Sequence, residues 1–189
     1  QSVINSFGST AIAGYSAGMR IESLSIVPML AMGNAMSTFT AQNMGAGKID
    51  RVKEGYRMCY VIVLTAGAVL CVMYQLAGGA FVSLFLDSGS SEAYSVGLSY
   101  VKFLSFFYSF IGLKASTDGL LRGAGDVTAF TVANLVNLAI RVSVTNLFAP
   151  IYGIQVAWMA VPLGWAANYV ISFGWYLTGK WKKVRVIKK

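Results

Sequence analysis

Long apolar segments joined by short polar loops make up most of this chain. The first runs from about Thr10 to Met44 and is almost uncharged after Glu22. A bilayer core about 30 Å thick is crossed by roughly 20 apolar residues in a helix, so this segment is longer than one span requires. We expect it to be tilted or broken. Pro28, which removes one helical hydrogen bond, marks the predicted break.

Further apolar segments follow to the end of the chain, and the pattern predicts an all-α integral membrane protein. We expect a polytopic helical bundle with five complete transmembrane helices. The chain begins with Gln1, and its first seven residues look like the end of an earlier helix. We therefore expect residues 1–189 to be the C-terminal transmembrane lobe of a longer protein. The predicted spans are about 10–44, 58–86, 93–114, 127–149 and 154–177, with a basic tail at 180–189.

Composition supports the same class. Only 12% of the residues are charged and 56% are hydrophobic, whereas a soluble domain carries about 25% charged residues. Too little polar surface is left to cover a water-soluble globule. The net charge of +8 does not indicate a nucleic-acid partner, because the basic residues lie at span ends and not on one face with exposed aromatic side chains. We expect membrane lipid to surround the chain.

The basic residues also predict an orientation. Cytoplasmic loops of membrane proteins carry an excess of lysine and arginine, and here these residues lie on alternate loops while the loops at 87–92 and 150–153 have none. The C-terminus is therefore expected in the cytoplasm of a multi-pass protein of the plasma membrane, the inner membrane in bacteria. The residues on the predicted cytoplasmic side are Lys48, Arg51, Lys53, Arg57, Arg122, Lys180, Lys182, Lys183, Arg185, Lys188 and Lys189.

Polar residues recur at helical spacing in the fourth span. Asn134, Asn137 and Arg141 are separated by three and four residues, so their side chains share one face. A charge that faces lipid at the membrane centre costs at least a few kcal/mol. This face should therefore contact other helices or a wet cavity. For Arg141 a cavity-facing role and a structural ion pair both remain open.

The first span contributes two charged residues, Arg20 and Glu22, which lie two positions apart and so point in different directions. Glu22 is the best candidate for a carboxylate that binds a cation or a proton; the alternative is a salt bridge to a basic residue of another span. We expect a wet face formed by spans one, three and four. The candidate residues for transport or cation coupling are Glu22, Arg141, Asn134, Asn137 and Arg20.

Glycine-rich motifs occur at two predicted loops. The sequence Gly-Ala-Gly-Lys at 45–48 lacks the earlier glycine and the following Ser or Thr of a phosphate-binding loop, since Gln42 and Ile49 stand there. The turns at 45–47 and 123–125 are instead predicted to end helices with a glycine at positive φ. Asp118 and Asp126 are assigned to the second loop. We find no catalytic triad, paired carboxylates or metal-ligand spacing, so no enzyme activity is predicted.

Three segments together resemble the C-terminal lobe of multidrug and toxic compound extrusion (MATE) transporters. They are AGMRIESLSIVPMLAMGNAMSTFTAQNMGAGK, TDGLLRGAGDV and APIYGIQVAW followed by VPLGW. The resemblance covers almost the whole chain in order. It implies that the motif residues have structural roles. These residues are Pro28, Gln42, Asn43, Gly45, Gly47, Arg122, Gly123 and Gly125.

The resemblance also implies a fold and a function. The family has twelve spans in two lobes, and this chain is similar to the end of the seventh helix plus helices eight to twelve. The expected partners are a missing N-terminal lobe of the same polypeptide and small organic substrates. The expected activity is export of organic, often cationic, compounds in exchange for Na⁺ or H⁺ by alternating access, with the coupling ion in place of a cofactor. Two alternatives remain: a related flippase or exporter of lipid-linked or polysaccharide substrates, and a non-transporting subunit or truncated fragment.

Overall fold

The computed structural model describes residues 8–86 and 91–183, which form helices joined by short turns. No strand occurs in these two ranges. The predicted end of an earlier helix, at residues 1–7, lies outside them. The helices are α1 (Ser9–Gly45), α2 (Ile49–Ser83), α3 (Ser91–Ser105), α4 (Tyr108–Gly123), α5 (Val127–Tyr152) and α6 (Gln155–Leu177), followed by a 3-10 turn at Lys180–Lys183.

The predicted all-α membrane bundle is confirmed. Helices α1, α2, α5 and α6 are each long and apolar enough to cross a membrane. Helices α3 and α4 meet at a bend of 52°, and taken together they are also long and apolar enough to form a fifth span. Where the sequence predicted one straight span at 93–114, the chain turns at residues 106–107 and remains helical to Gly123. No proline or glycine marks this bend, which explains why the residue pattern did not reveal it.

Helix α1 is continuous through Pro28. The sequence predicted a tilt or a break there, but the helix includes the proline and extends over 37 residues. Helix α2 also begins earlier than predicted, at Ile49, so the basic cluster after the first span forms the first turns of a helix. The ends of both α1 and α4 are turns with glycine at positive φ, Gly47 at 71° and Gly125 at 84°. This agrees with the expectation from the two Gly-Ala-Gly sequences.

Helices α1 and α4 approach each other through glycines. A Cβ atom added to Gly119 would lie 2.1 Å from the carbonyl oxygen of Gly33, and one added to Gly123 would lie 2.2 Å from that of Ser37. Small residues allow this close approach, which is a main source of helix association in lipid. Gly33 is buried in this contact, whereas Ala31 and Ala35 on the same helix are exposed. The contact fixes α4 beside α1 and brings polar residues of the two helices together.

Helix α5 packs mainly on α6, and α6 packs in turn on α4. The N-terminus of α5 is fixed by Asp126, whose carboxylate accepts hydrogen bonds from the Ala129 amide at 3.4 Å and from the Trp175 indole at 2.6 Å. Asp126 is therefore a helix-capping residue, as its predicted place in a loop suggested. The arrangement leaves a cleft between α1 and α5, with α4 behind it.

Candidate functional site

Glu22 lies at the centre of the first polar group. Its position on α1 is half-buried, and its carboxylate accepts a hydrogen bond from the hydroxyl of Tyr100 on α3. The Tyr100 ring is fully buried and makes edge contacts with Tyr15 at 5.3 Å and with Trp158 at 5.5 Å between centroids. These aromatic rings hold the phenol in place. Glu22 thus has one fixed donor inside the bundle.

Arg141 does not neutralise Glu22 directly. Within residues 8–86 and 91–183 the ion pairs closer than 4 Å are Lys53–Asp50 and Lys114–Asp118. A salt bridge was the alternative interpretation of Glu22, and no basic side chain in the described ranges lies within 4 Å of its carboxylate.

The stem of Arg141 crosses α6 at a glycine. A Cβ atom added to Gly164 would lie 2.9 Å from Cγ of Arg141 and 2.2 Å from Oδ1 of Asn137. Both side chains therefore lie on the face of α5 that contacts α6, which is the shared face that their spacing predicted. The Asn137 Oδ1 atom is buried and has no hydrogen-bond partner among the described residues. Arg141 itself is exposed.

Arg20 is separate from this group. Its position is exposed, and it borders a small pocket of about 180 Å³ with Ser16 and Phe85. It forms no ion pair with Glu22 within 4 Å in the part of the chain that the structure describes. The two-residue separation predicted that the two side chains would point in different directions, and the structure has this arrangement.

A second polar group joins α4, α5 and α6 around Asp118. The Lys114 ammonium donates to Oδ2 of Asp118 at 2.9 Å and to Oδ1 of Asn134 at 3.1 Å. Oδ2 of Asp118 also accepts from the Asn134 amide at 3.4 Å, and Oδ1 accepts from Ser172 at 2.6 Å. The side chains of Lys114 and Asp118 are only 12% and 5% exposed. The pair is thus a buried, hydrogen-bonded ion pair.

Sequence reasoning missed this ion pair. Asp118 was assigned to a loop, and that assignment is wrong, because α4 continues to Gly123 and buries the carboxylate. Lys114 was placed at a span end for the same reason. The signal was present, since lysine and aspartate four residues apart on a helix lie side by side. Asn134, a predicted candidate, belongs to this group and not to that of Glu22.

Arg122 completes the cleft on the α1 side. Its guanidinium donates to Oδ1 of Asn34 at 2.8 Å and lies over the Phe130 ring at 5.5 Å. A cavity of about 220 Å³ extends from Arg122 to the Lys114–Asp118 pair. Its walls come from α1, α4 and α5, so three helices contribute polar groups to one space. Its lining residues include Asn34, Lys114, Asp118, Arg122, Phe130 and Asn134.

Comparison with known proteins identifies the family. The model of the MatE family matches residues 1–159 of the chain. The chain belongs to the MatE family. The probable multidrug resistance protein YpnP of Bacillus subtilis is 29% identical over 186 residues, which cover 98% of this chain and 41% of that protein. The probable multidrug resistance protein YoeA of the same organism is 24% identical, with 99% of this chain and 40% of that protein covered.

Solved MatE-type structures have the same fold. A multidrug resistance MATE family transporter of the MOP superfamily, in an inward-facing conformation, matches with a TM-score of 0.83 at 17% identity. The match covers 92% of this chain and 39% of that one. The chain therefore has the multi-pass helical membrane fold of these proteins and spans about two fifths of the length of the curated relatives that it matches.

The motif residues lie near the ends of α1 and α4, except Pro28, which lies inside α1. Asn43 is buried and its amide donates to the Phe39 carbonyl at 2.8 Å, while Gln42 is exposed and its backbone carbonyl accepts from the Ala46 amide at 3.1 Å. Gly45 is the last residue of α1. These contacts are local to the helix end. Arg122 differs from the other motif residues because its side chain reaches a cavity.

Proposed function

We propose that this chain is one lobe of a cation-coupled exporter of organic compounds, working with a second lobe of the same polypeptide. The family and the resemblance to proteins named for multidrug resistance support this proposal. The coupling ion would be Na⁺ or H⁺. The basic ends of the helices favour a C-terminus on the cytoplasmic side of the bacterial inner membrane.

The proposal depends on one observation: the two membrane carboxylates, Glu22 and Asp118, have different partners. A coupling carboxylate must gain and lose a positive partner during each cycle. Asp118 already holds Lys114 at 2.9 Å, so a cation or proton would have to displace a fixed ammonium. Glu22 has a phenol donor and no ion pair within 4 Å in the described ranges. Glu22 is therefore the group that we assign to the coupling ion.

Coupling then follows from differential binding. A ligand shifts a conformational equilibrium only by the difference between its affinities for the two states. We propose that an ion on Glu22 favours one orientation of the two lobes and that the organic substrate favours the other. Tyr100 would orient the carboxylate by its hydrogen bond. Arg141, held on Gly164, would keep a positive charge near the site when the ion leaves.

The test is gradient-driven export of ethidium, an organic cation, from membrane vesicles that contain the whole transporter. Imposed Na⁺ and H⁺ gradients are applied separately. Glu22→Gln should reduce gradient-driven export at least tenfold. The glutamine amide has no negative charge to bind Na⁺ and does not take up a proton near neutral pH. The control is Glu54→Gln, a change of the same type at an exposed position of α2, and it should export normally. Unchanged export by Glu22→Gln at equal expression would remove Glu22 from the coupling mechanism.

A further inference from the structure

The cavity between α1, α4 and α5 has an excess of positive charge. Three charged side chains line it, Lys114, Arg122 and Asp118. Asp118 pairs with Lys114, and no carboxylate in the described part of the chain lies within 4 Å of Arg122. The sum is one uncompensated positive charge. A pocket between membrane helices with this balance favours an anionic group over a cation.

The hydrogen-bond capacity of the cavity points the same way. The Asp118 carboxylate accepts from Lys114, Asn134 and Ser172, so its oxygens are already engaged. The Lys114 ammonium has one more hydrogen than its two acceptors use. The Arg122 guanidinium uses few of its N–H groups, on Asn34 and weakly on Ser37. The unused capacity is therefore mostly donors, and a ligand must supply acceptors.

We propose that this cavity binds an oxyanion, the carboxylate or phosphate of an organic molecule, between Arg122 and Lys114. A planar guanidinium fork suits such a group. Asn34 and the Phe130 ring hold the guanidinium from two sides, so its donors are oriented before the ligand arrives. The volume of about 220 Å³ corresponds to about seven water molecules at about 30 Å³ each. This is room for the anionic end of a molecule, with the remainder in the cleft.

This inference rests on the proposed function, because it adds a substrate class to it. An exporter that keeps Glu22 for the coupling ion and has an oxyanion site at Arg122 would accept organic compounds that carry an acidic group. The same chemistry fits the phosphate of an anionic phospholipid. The experiment therefore includes a lipid arm.

The probes are tetramethylrhodamine, which has a free carboxylate, and its methyl ester, which has none. Fluorescence anisotropy measures the binding of each to the purified transporter in detergent. A charge-assisted hydrogen bond contributes enough for about a tenfold difference in affinity. We expect the free acid to bind the unaltered transporter about tenfold more tightly than the ester. Equal binding, weaker binding of the acid, or binding of neither dye would overturn the inference.

Two variants locate the site. Arg122→Gln removes the excess charge and should abolish the preference for the acid. The double variant Lys114→Gln with Asp118→Asn removes the buried pair together, so the excess charge stays and most of the preference should remain. Arg51→Gln, at an exposed position of α2, is the matched control and should keep the full preference. A preference that survives in Arg122→Gln would overturn the assignment to this cavity.

The lipid arm adds phosphatidylglycerol or the zwitterionic phosphatidylcholine to the binding assay. Displacement of the acid by phosphatidylglycerol alone would identify a lipid phosphate as the natural oxyanion. If neither lipid displaces the acid, the natural oxyanion is the carboxylate or phosphate of a transported compound. The ethidium export assay tests the proposed function, and the binding assay tests the oxyanion site. The binding assay uses no ion gradient, so the two proposals can fail separately.

Discussion

The contact between α1 and α4 gives a quantitative prediction for Gly119→Ala. The new Cβ atom would lie 2.1 Å from the carbonyl oxygen of Gly33, whereas real Cβ contacts are not shorter than 3.0 Å. The two helices would have to separate by about 1 Å. The atom that is approached belongs to the backbone, so no change of rotamer can relieve the contact. Overpacking costs about 1–3 kcal/mol, and a rigid backbone on both sides places this case at the upper end.

A second glycine supplies the control. Gly174 lies in α6 with nothing within 4 Å of an added Cβ atom. Alanine has the better helix propensity, by up to about 1 kcal/mol, and both variants gain this term. The difference between Gly119→Ala and Gly174→Ala therefore isolates the steric term, about 3 kcal/mol. At about 2–4 °C per kcal/mol for a domain of this size, the midpoints should differ by about 6–12 °C.

Thermal unfolding of the purified transporter in detergent measures this difference. A fluorogenic thiol reagent reports unfolding, because Cys59 is a buried free cysteine that reacts when the bundle opens. Gly119→Ala should melt well below the unaltered protein, and Gly174→Ala at or slightly above it. If the two variants melted within about 1 °C of each other, α1 and α4 would not be in the contact described. The cavity between α1, α4 and α5 would then not exist in the form given above.

Three further predictions use the same variants and assays. Asp118→Asn leaves Lys114 buried without its partner and should destabilise the protein by about 3–5 kcal/mol, while adding Lys114→Gln should restore most of the loss; additive losses in the melting assay would refute the pairing. Tyr100→Phe removes a donor that competes with the coupling ion for the Glu22 carboxylate, so it should lower the ion concentration that gives half-maximal ethidium export, with no loss of expression. Gly164→Ala would displace the Arg141 stem and Asn137, so it should lower the melting midpoint where Gly174→Ala does not.

The residue pattern was sufficient to predict the membrane class, because apolar length and the position of basic residues depend only on the order of residues along the chain. It also predicted that Asn137 and Arg141 share a face, since helical spacing fixes relative direction. It did not predict the bend at residues 106–107 or the continuation of α4 through Asp118. Both depend on tertiary contacts, and neither position has a proline or a helix-ending glycine to mark it.

Tertiary contacts also explain why two site residues, Tyr100 and Arg122, were not predicted as such. Tyr100 was one of many tyrosines until the bundle placed its hydroxyl on Glu22. Arg122 was assigned to a motif at a helix end, and nothing in the local sequence shows that Asn34 of another helix holds its guanidinium. Spacing reveals which residues can meet within one helix. Contacts between helices require the packing itself, here the glycines of α1 and α4.

The two membrane carboxylates illustrate why burial alone does not identify a coupling site. Removing one member of a buried ion pair costs several kcal/mol, because the other charge is left without a partner. A pair such as Lys114–Asp118, with Ser172 and Asn134 as further donors, is therefore held in one state and suits a structural role. A carboxylate whose fixed contact is a single phenol can exchange its partner at lower cost. If Glu22→Gln exported normally while Asp118→Asn, folded and inserted, lost only its gradient dependence, this assignment of roles would have to be reversed.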